Sequence, residues 1–296
     1  MKKLLTYALI ATGFALSSPV FADDMDELMA QVTPKDELTN ATFKSTRIIN
    51  LPTTEVMGAK DLNFVLQHHL GPISAGPGQA FGLDMAKIRL ALEYGITDRM
   101  QIGIGRTNGG GKPVDMSLRF RVLRQLSTGG MPLSLTVQTA GFYETAPDGS
   151  VPYTLTAERR TSSVHHLLVA RKWNEKLSTE FSSILVLRNM YPTTEDNFAT
   201  VVLGVGGRYK LTQRVALTGD FAMPVPPGRN GKYYSPVLGV GVDLDTGGHV
   251  FQLFLTNSTW LNDDRLLTET GGSFGDTGTN MRLGFQINRT FGFGGK

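Results

Sequence analysis

The chain has 296 residues, 29 basic and 26 acidic side chains, a formal charge of +3 and no cysteine. The near balance of charge argues against a basic nucleic-acid-binding surface. The missing thiols exclude a disulfide framework, a thiolate metal site and a cysteine nucleophile. Glycine is abundant at 34 residues, above the roughly 7% of ordinary globular chains, and amphipathic helices of the kind a soluble enzyme carries are nearly missing.

The first stretch, MKKLLTYALIATGFALSSPVFA, sets Lys2 and Lys3 before an apolar run from Leu4 to about Leu16 and ends on Val20-Phe21-Ala22. This is the pattern of a secretory signal peptide, with export through the Sec pathway and cleavage expected near Ala22. Its removal takes away two lysines and no acid, so the basic pI carries no argument about partners. Residues 23–60 begin acidic and show no clean periodicity. They are expected to form a periplasmic segment: a short helix, a linker or a plug.

From Asp61 to the end the pattern is uniform. Alternating segments fall at roughly 61–70, 86–95, 99–107, 113–124, 132–142, 162–173, 176–189, 198–210, 213–223, 235–245, 249–258 and 280–293. Their length suits the about 9–11 residues that a tilted strand needs to cross a bilayer; soluble strands run nearer 5 or 6. Tight turns at 95–98, 174–177, 211–214 and 245–248, and a slightly longer one in LRQLSTGGMP, alternate with longer links at 71–85, 108–112, 143–161, 190–197, 224–234 and 259–279. Outer-membrane barrels have that rhythm, with short periplasmic turns and longer extracellular loops.

A half-buried strand does not say whether its oily face meets lipid or a protein core. In Leu90–Thr107, Leu90, Leu92, Tyr94, Ile102 and Ile104 share one side, with Arg89, Glu93, Gln101 and Gly103 on the other. Glycines gather on the polar faces at 103, 105, 204, 206, 239, 241 and 284, where they relieve crowding inside a barrel. Aromatics sit beside turns at Tyr94, Trp173, Tyr209, Phe291 and Phe293, as interfacial girdles do. Lipid offers backbone no hydrogen bonds, so a sheet within it must close. The expectation is an all-β, closed antiparallel transmembrane β-barrel of about twelve strands over residues 61–296, in the Gram-negative cell outer membrane.

By strand parity Lys87, Arg89, Glu93, Asp115, Arg119, Arg121, Glu180, Arg188, Arg208, Asp220, Asp243 and Arg282 point into the lumen. They are the candidate pore-lining residues. Two readings stay open: a narrow passive channel for small polar or anionic solutes, or a barrel filled by salt-bridged side chains that is structural or binds a partner. The histidine pairs His68-His69 and His165-His166 cannot chelate one metal locally, because strand neighbours face opposite sides. A third reading, a lipid-hydrolysing barrel, lacks the His-x-Ser spacing of outer-membrane phospholipases. The runs TNGGGK and DTGGH do not open helices, so they are turn glycines rather than phosphate loops. No enzyme activity, metal or cofactor is expected. The expected partners are outer-membrane lipids, the barrel-assembly machinery during insertion, and a periplasmic protein met through residues 23–60; nucleic acid is not among them.

At DTGGHVFQLFLTNS, Asp245 to Ser258, the sequence becomes specific. With LPTTEVMGAKDLNFVLQHHLG, FGLDMAKIRLALEYGITDRMQIGIGR, LLVARKWNEKLS and GGRYKLTQRVAL, it resembles a family of uncharacterised Gram-negative outer-membrane β-barrels. The resemblance runs from about Leu51 to the C-terminus. It implies the barrel fold and the outer-membrane location, and no substrate. Thr256 to Ser258 close that motif and read as a strand-end cap.

Overall fold

The computed structural model describes residues 37–147, 156–189, 198–225, 235–271 and 281–293. The signal-peptide expectation lies outside them, as does the start of the 23–60 segment. Twelve antiparallel strands close in chain order: β1 Asp61–Pro72, β2 Lys87–Thr97, β3 Met100–Thr107, β4 Val114–Leu123, β5 Ser134–Tyr143, β6 Thr161–Lys172, β7 Leu177–Arg188, β8 Ala199–Lys210, β9 Val215–Val225, β10 Val237–Asp245, β11 His249–Thr256 and β12 Arg282–Gly292. Strand β12 pairs back onto β1, from Asp61 opposite Gly292 to His69 opposite Gly284. Closure leaves no open edge, the condition for a sheet in lipid.

Side chains of the turns themselves close the tight connections. Thr97 Oγ1 accepts the Met100 N–H at 3.0 Å, Asn174 Oδ1 accepts Leu177 N–H at 2.9 Å, and Thr212 Oγ1 accepts Val215 N–H at 3.0 Å. Between β10 and β11, Asp245 Oδ1 accepts the Gly247 N–H at 2.8 Å while Gly247 sits at φ 89°. Only glycine takes that backbone without strain. The strict alternation of short and long links fails at one place. The β3–β4 link, 108–113, is shorter than the β4–β5 link, 124–133. The longer link is held by the incoming chain: Leu38 bridges Leu126, and the Thr39 N–H donates to Gln125 O at 2.8 Å.

The outward face is apolar. Leu90, Ile102, Ile104, Met116 and Leu253 are all exposed on the wall. The inward face is not uniformly polar, which corrects the simple greasy-out, charged-in reading. Val164, Ile184, Val186 and Val202 point inward and pack with Leu51, Leu266 and Leu267 as a buried cluster. These strands are apolar on both faces because both faces are covered, one by lipid and one by protein.

Two segments supply that inner protein. Residues 46–53 form a hairpin in which the Ile48 N–H donates to Leu51 O and the Thr53 N–H to Thr46 O, both at 2.9 Å. The chain enters and leaves at the short-turn end: Thr39 lies on the β4–β5 link, and the Lys60 N–H donates to Gly95 O at 2.8 Å. From the opposite end the β11–β12 connection folds inward, carrying a single helical turn, α1 (Asp263–Leu266). Residues 45–54 and 261–268 are all buried.

Candidate functional site: the occupied lumen

The N-terminal hairpin is held to the barrel wall chiefly through its backbone. A turn with consecutive N–H groups pointing one way is an anion nest, and the anion here is the Asp220 carboxylate of β9. Its Oδ2 accepts the N–H groups of Ile49, Asn50 and Leu51 at 3.1, 2.6 and 2.8 Å, and Oδ1 accepts Asn50 Nδ2 at 2.8 Å. Glu180 of β7 accepts the Thr54 N–H at 2.8 Å. On the far side Gln252 Nε2 donates to Ile48 O at 2.7 Å, and Thr256 Oγ1 donates to Asn50 Oδ1 at 3.0 Å. The wall leaves room for this hairpin by omitting side chains. A Cβ on Gly204 would lie 2.7 Å from Leu51 Cδ1, and one on Gly239 would lie 2.6 Å from Asn50 Nδ2.

The arginines of β4 grip the returning strand of the hairpin. Arg119 donates through Nη1 to Glu55 O at 2.6 Å, and through Nε and Nη2 to Gln138 Oε1 at 2.8 and 2.6 Å. Arg121 donates to Val56 O at 3.3 Å and lies 3.5 Å from the Glu55 carboxylate. Glu93 accepts from Thr46 Oγ1 and from Asn63 Nδ2, each at 2.9 Å. Arg89 and Asp115 form a two-bond ion pair at 2.9 and 2.6 Å.

The β11–β12 segment is tied by charge. Arg188 reaches Glu269 at 2.5 Å and Thr268 Oγ1 at 2.8 Å. Lys87 Nζ stands 3.7 Å over the Trp260 ring, with the Arg265 guanidinium on the same indole at 4.9 Å. Arg265 also pairs with Glu144. Deeper in, Arg208 lies 3.7 Å from Asp243, which accepts Gln252 Nε2 at 2.9 Å. Arg282 is half-buried, and its Nε has no hydrogen-bond partner among the described residues.

The two segments meet in one ion pair. Arg47 Nη2 donates to Asp263 Oδ1 at 2.6 Å, and His166 Nε2 of β6 stands 3.2 Å from Oδ2. Burial by itself would raise the Asp263 carboxyl; the Arg47 guanidinium and the His166 imidazole outweigh it and hold that carboxyl well below the ordinary carboxylate range. The neighbouring Asp264 is pushed up by burial, which outweighs the Arg188 guanidinium, the Ser162 Oγ that donates to it at 2.6 Å and the Arg265 guanidinium. Between the segments remains a cavity of about 30 Å³ lined by Arg47, Arg89, Asp115, Arg119 and Asp263 among others. That is roughly the space of one or two waters.

All twelve candidate lumen residues are thus on the inner wall, but most touch protein there rather than open space. Arg47, Asn50, Glu144, Asp263 and Arg265, which sequence reasoning passed over, are the partners that join the fillings to one another and to the wall. Thr256 to Ser258 do cap a strand end, with Asn257 Oδ1 accepting the Leu238 N–H at 2.9 Å, and Thr256 additionally contacts the hairpin. No group of three or more histidine, aspartate or glutamate side chains among the described residues is arranged to hold a metal ion.

Fold and interior together define a membrane-spanning β-barrel whose lumen is occupied by its own chain. Residues 43–291 match the family described as a membrane bound beta barrel domain (DUF5777), and the chain belongs to that family. No curated protein matches the sequence significantly. Among solved structures, the barrel is similar to an outer membrane channel from Pseudomonas putida F1, with TM-score 0.48 and 13% identity over 80% of this chain and 98% of that one. It is also similar to KdgM porin, with TM-score 0.46 and 6% identity over 79% and 99%, and to NanC porin, with TM-score 0.44 and 7% identity over 78% and 98%.

Proposed function

We propose that the protein is an outer-membrane channel held closed at rest by its N-terminal hairpin, and that it passes small polar or anionic solutes when the hairpin withdraws toward the periplasm. The observation that carries this reading is the nest on Asp220, three hairpin N–H groups on one wall carboxylate. A filling meant to be permanent is best built from apolar packing, because buried charges are expensive to desolvate and repay little. A wall of carboxylates and guanidiniums can instead be rehydrated once the hairpin leaves. The twelve lumen candidates comprise seven cations and five anions, which favours anions modestly in the space the hairpin leaves beside the β11–β12 segment. The membrane-bound family, the all-strand span and the signal-like N-terminus support the outer-membrane location. Lipids and the assembly machinery are then partners, and a periplasmic protein engaging residues 23–60 would hold a spontaneously withdrawn hairpin out of the lumen.

A second reading is a barrel that stays filled and serves as a structural or partner-binding platform. The apolar packing of Leu51, Leu266 and Leu267 favours it. The chain has no cysteine, so Asn50→Cys with Gly239→Cys makes a clean staple between hairpin and wall. In planar bilayers the reduced protein should give single-channel steps and the oxidised protein none. Steps in the oxidised state would remove the hairpin as gate, and silence in both states would favour the filled barrel.

A further inference from the structure

Among the described residues of the outer wall, a polar cluster stands on β5 and β6 where lipid should meet apolar side chains. Thr139 on β5 stands opposite His165 on β6, and Gly141 stands opposite Ser163. All four face outward, the opposite side from His166 and Val164. Thr139 Oγ1 lies 2.5 Å from His165 Nδ1, and Ser163 Oγ lies 3.2 Å from His165 Nε2. Ionisable side chains facing hydrocarbon are costly and mark functional sites by default. The arrangement has the order of a nucleophile, a base and a group that orients the base: a hydroxyl on Nε2 and a second hydrogen-bond partner on Nδ1. With the imidazole proton on Nδ1 and donated to Thr139 Oγ1, Nε2 is free to accept the Ser163 proton.

The surroundings fit one kind of substrate. Tyr143 pairs with Thr161 one outward position nearer the long-loop end, and an exposed tyrosine at that height marks the headgroup interface. Ser163 therefore sits just below headgroup depth, where glycerolipid esters lie. A Cβ on Gly141 would meet nothing within 4 Å, so the space beside Ser163 is open. Beside it His165 and Thr139 line a groove of about 490 Å³ that spreads across the neighbouring strands, walled also by Phe120, Val137, Leu167, Leu185 and Val201. An acyl chain whose ester is held at Ser163 would reach that groove past the His165 ring.

We propose that Ser163, with His165 as base and Thr139 as positioning residue, is a nucleophile for acyl transfer from a membrane glycerophospholipid. Ser163 Oγ attacks the ester carbonyl while its proton passes to His165 Nε2. The ester C–O bond breaks, and the leaving lysolipid oxygen takes that proton. Interfacial water then hydrolyses the acyl-serine, releasing a fatty acid and restoring the hydroxyl. Hydrolysis of the acyl-serine depends on water reaching this lipid-facing wall, so the covalent adduct is the sensitive readout.

The test is a fluorophosphonate probe on the full chain in detergent, read by mass spectrometry, beside oleate release from vesicles of dioleoylphosphatidylethanolamine containing the protein. The expected result is an adduct on Ser163 together with oleate release. Ser163→Ala should abolish both, and His165→Ala should reduce the adduct rate by roughly 10²-fold or more. Thr139→Val should reduce it while Thr139→Ser restores it, which a merely packing role would not do. Each variant is first shown to keep the heat-modifiable migration of a folded barrel. No adduct on Ser163, or an adduct rate indifferent to His165→Ala, overturns the activated serine. An adduct without oleate release overturns the lipid as substrate. Neither outcome bears on the channel reading, which rests on the opposite face of the wall.

Discussion

Replacing Asp220 with asparagine is the sharpest perturbation of the hairpin, because one atom serves three donors. Oδ2 takes the N–H groups of Ile49, Asn50 and Leu51, and the residue is 3% exposed. Hydrogen bonds to a charged acceptor contribute about 1.5–3 kcal/mol each, against about 1 for neutral ones. Asparagine keeps one carbonyl oxygen but loses the charge, and it turns an N–H₂ group toward Asn50 Nδ2 or toward the nest. Downgrading three bonds and introducing one donor facing a donor should cost about 3–4 kcal/mol. If the hairpin leaves the lumen as a unit, its open population rises roughly 10²–10³-fold. Hydrogen–deuterium exchange of a peptide covering residues 46–54 reads this directly. Wild-type amides should be strongly protected, and the variant's should exchange faster by that factor while the strand amides of β4 and β7 stay protected. Equal exchange in wild type and variant would refute the nest as the principal anchor. Faster exchange throughout the barrel would refute the hairpin as a separate unit.

Asp263→Asn leaves Arg47 buried without its carboxylate and should destabilise the folded protein by about 3 kcal/mol, seen as a lowered melting temperature at neutral pH. A carboxyl depressed by folding contributes stability above its unfolded value and loses it as pH falls through the depressed one. The gap between wild type and Asp263→Asn should therefore be full above the ordinary carboxylate range, shrink progressively as the pH falls into and below it, and close only in strong acid. Gly204→Val sets a branched side chain against Leu51, a 1%-exposed core residue that cannot yield; the overpacking should cost about 1–3 kcal/mol and raise channel open time in bilayers. Reversing the charge of Arg119 and Arg121 should shift the reversal potential of the open channel toward cations, measured under a salt gradient. Spin labels at Leu90, Ile102 and Leu283, all exposed on the outer wall, should be reached by membrane-dissolved oxygen; shielding at all three would contradict the lipid-facing assignment.

The wall of this protein was written plainly in its sequence because each strand obeys a local rule. Period-two alternation, a length suited to the bilayer and turn residues such as Thr97, Asn174 and Thr212 place all twelve strands within a few residues. What fills the wall obeys no local rule. The stretch STRIINLPTTEV has no period because its backbone groups are satisfied by side chains far away in sequence, Asp220 and Glu180 lying 170 and 126 residues from Asn50 and Thr54. One sign was available: apolar residues on both faces of β6 and β7, such as Val164 with Leu167 and Ile184 with Leu185, require a covered inner surface as well as lipid. The serine and histidine of the outer cluster were legible only as Ser163-x-His165, the reverse of the order sought. Their partner Thr139 became visible only with the β5–β6 register.

Whether the lumen is truly occupied is decided most directly at Ser182. It is 1% exposed on the inner wall, with its Oγ beside the space kept open by Gly204 and filled by Leu51. In a chain without native cysteine, Ser182→Cys provides a single thiol for a water-soluble methanethiosulfonate reagent added to the folded protein in vesicles. The account predicts that this thiol is protected in the wild-type background and reacts quickly once Asp220→Asn is added. Rapid labelling in the wild-type background would contradict it.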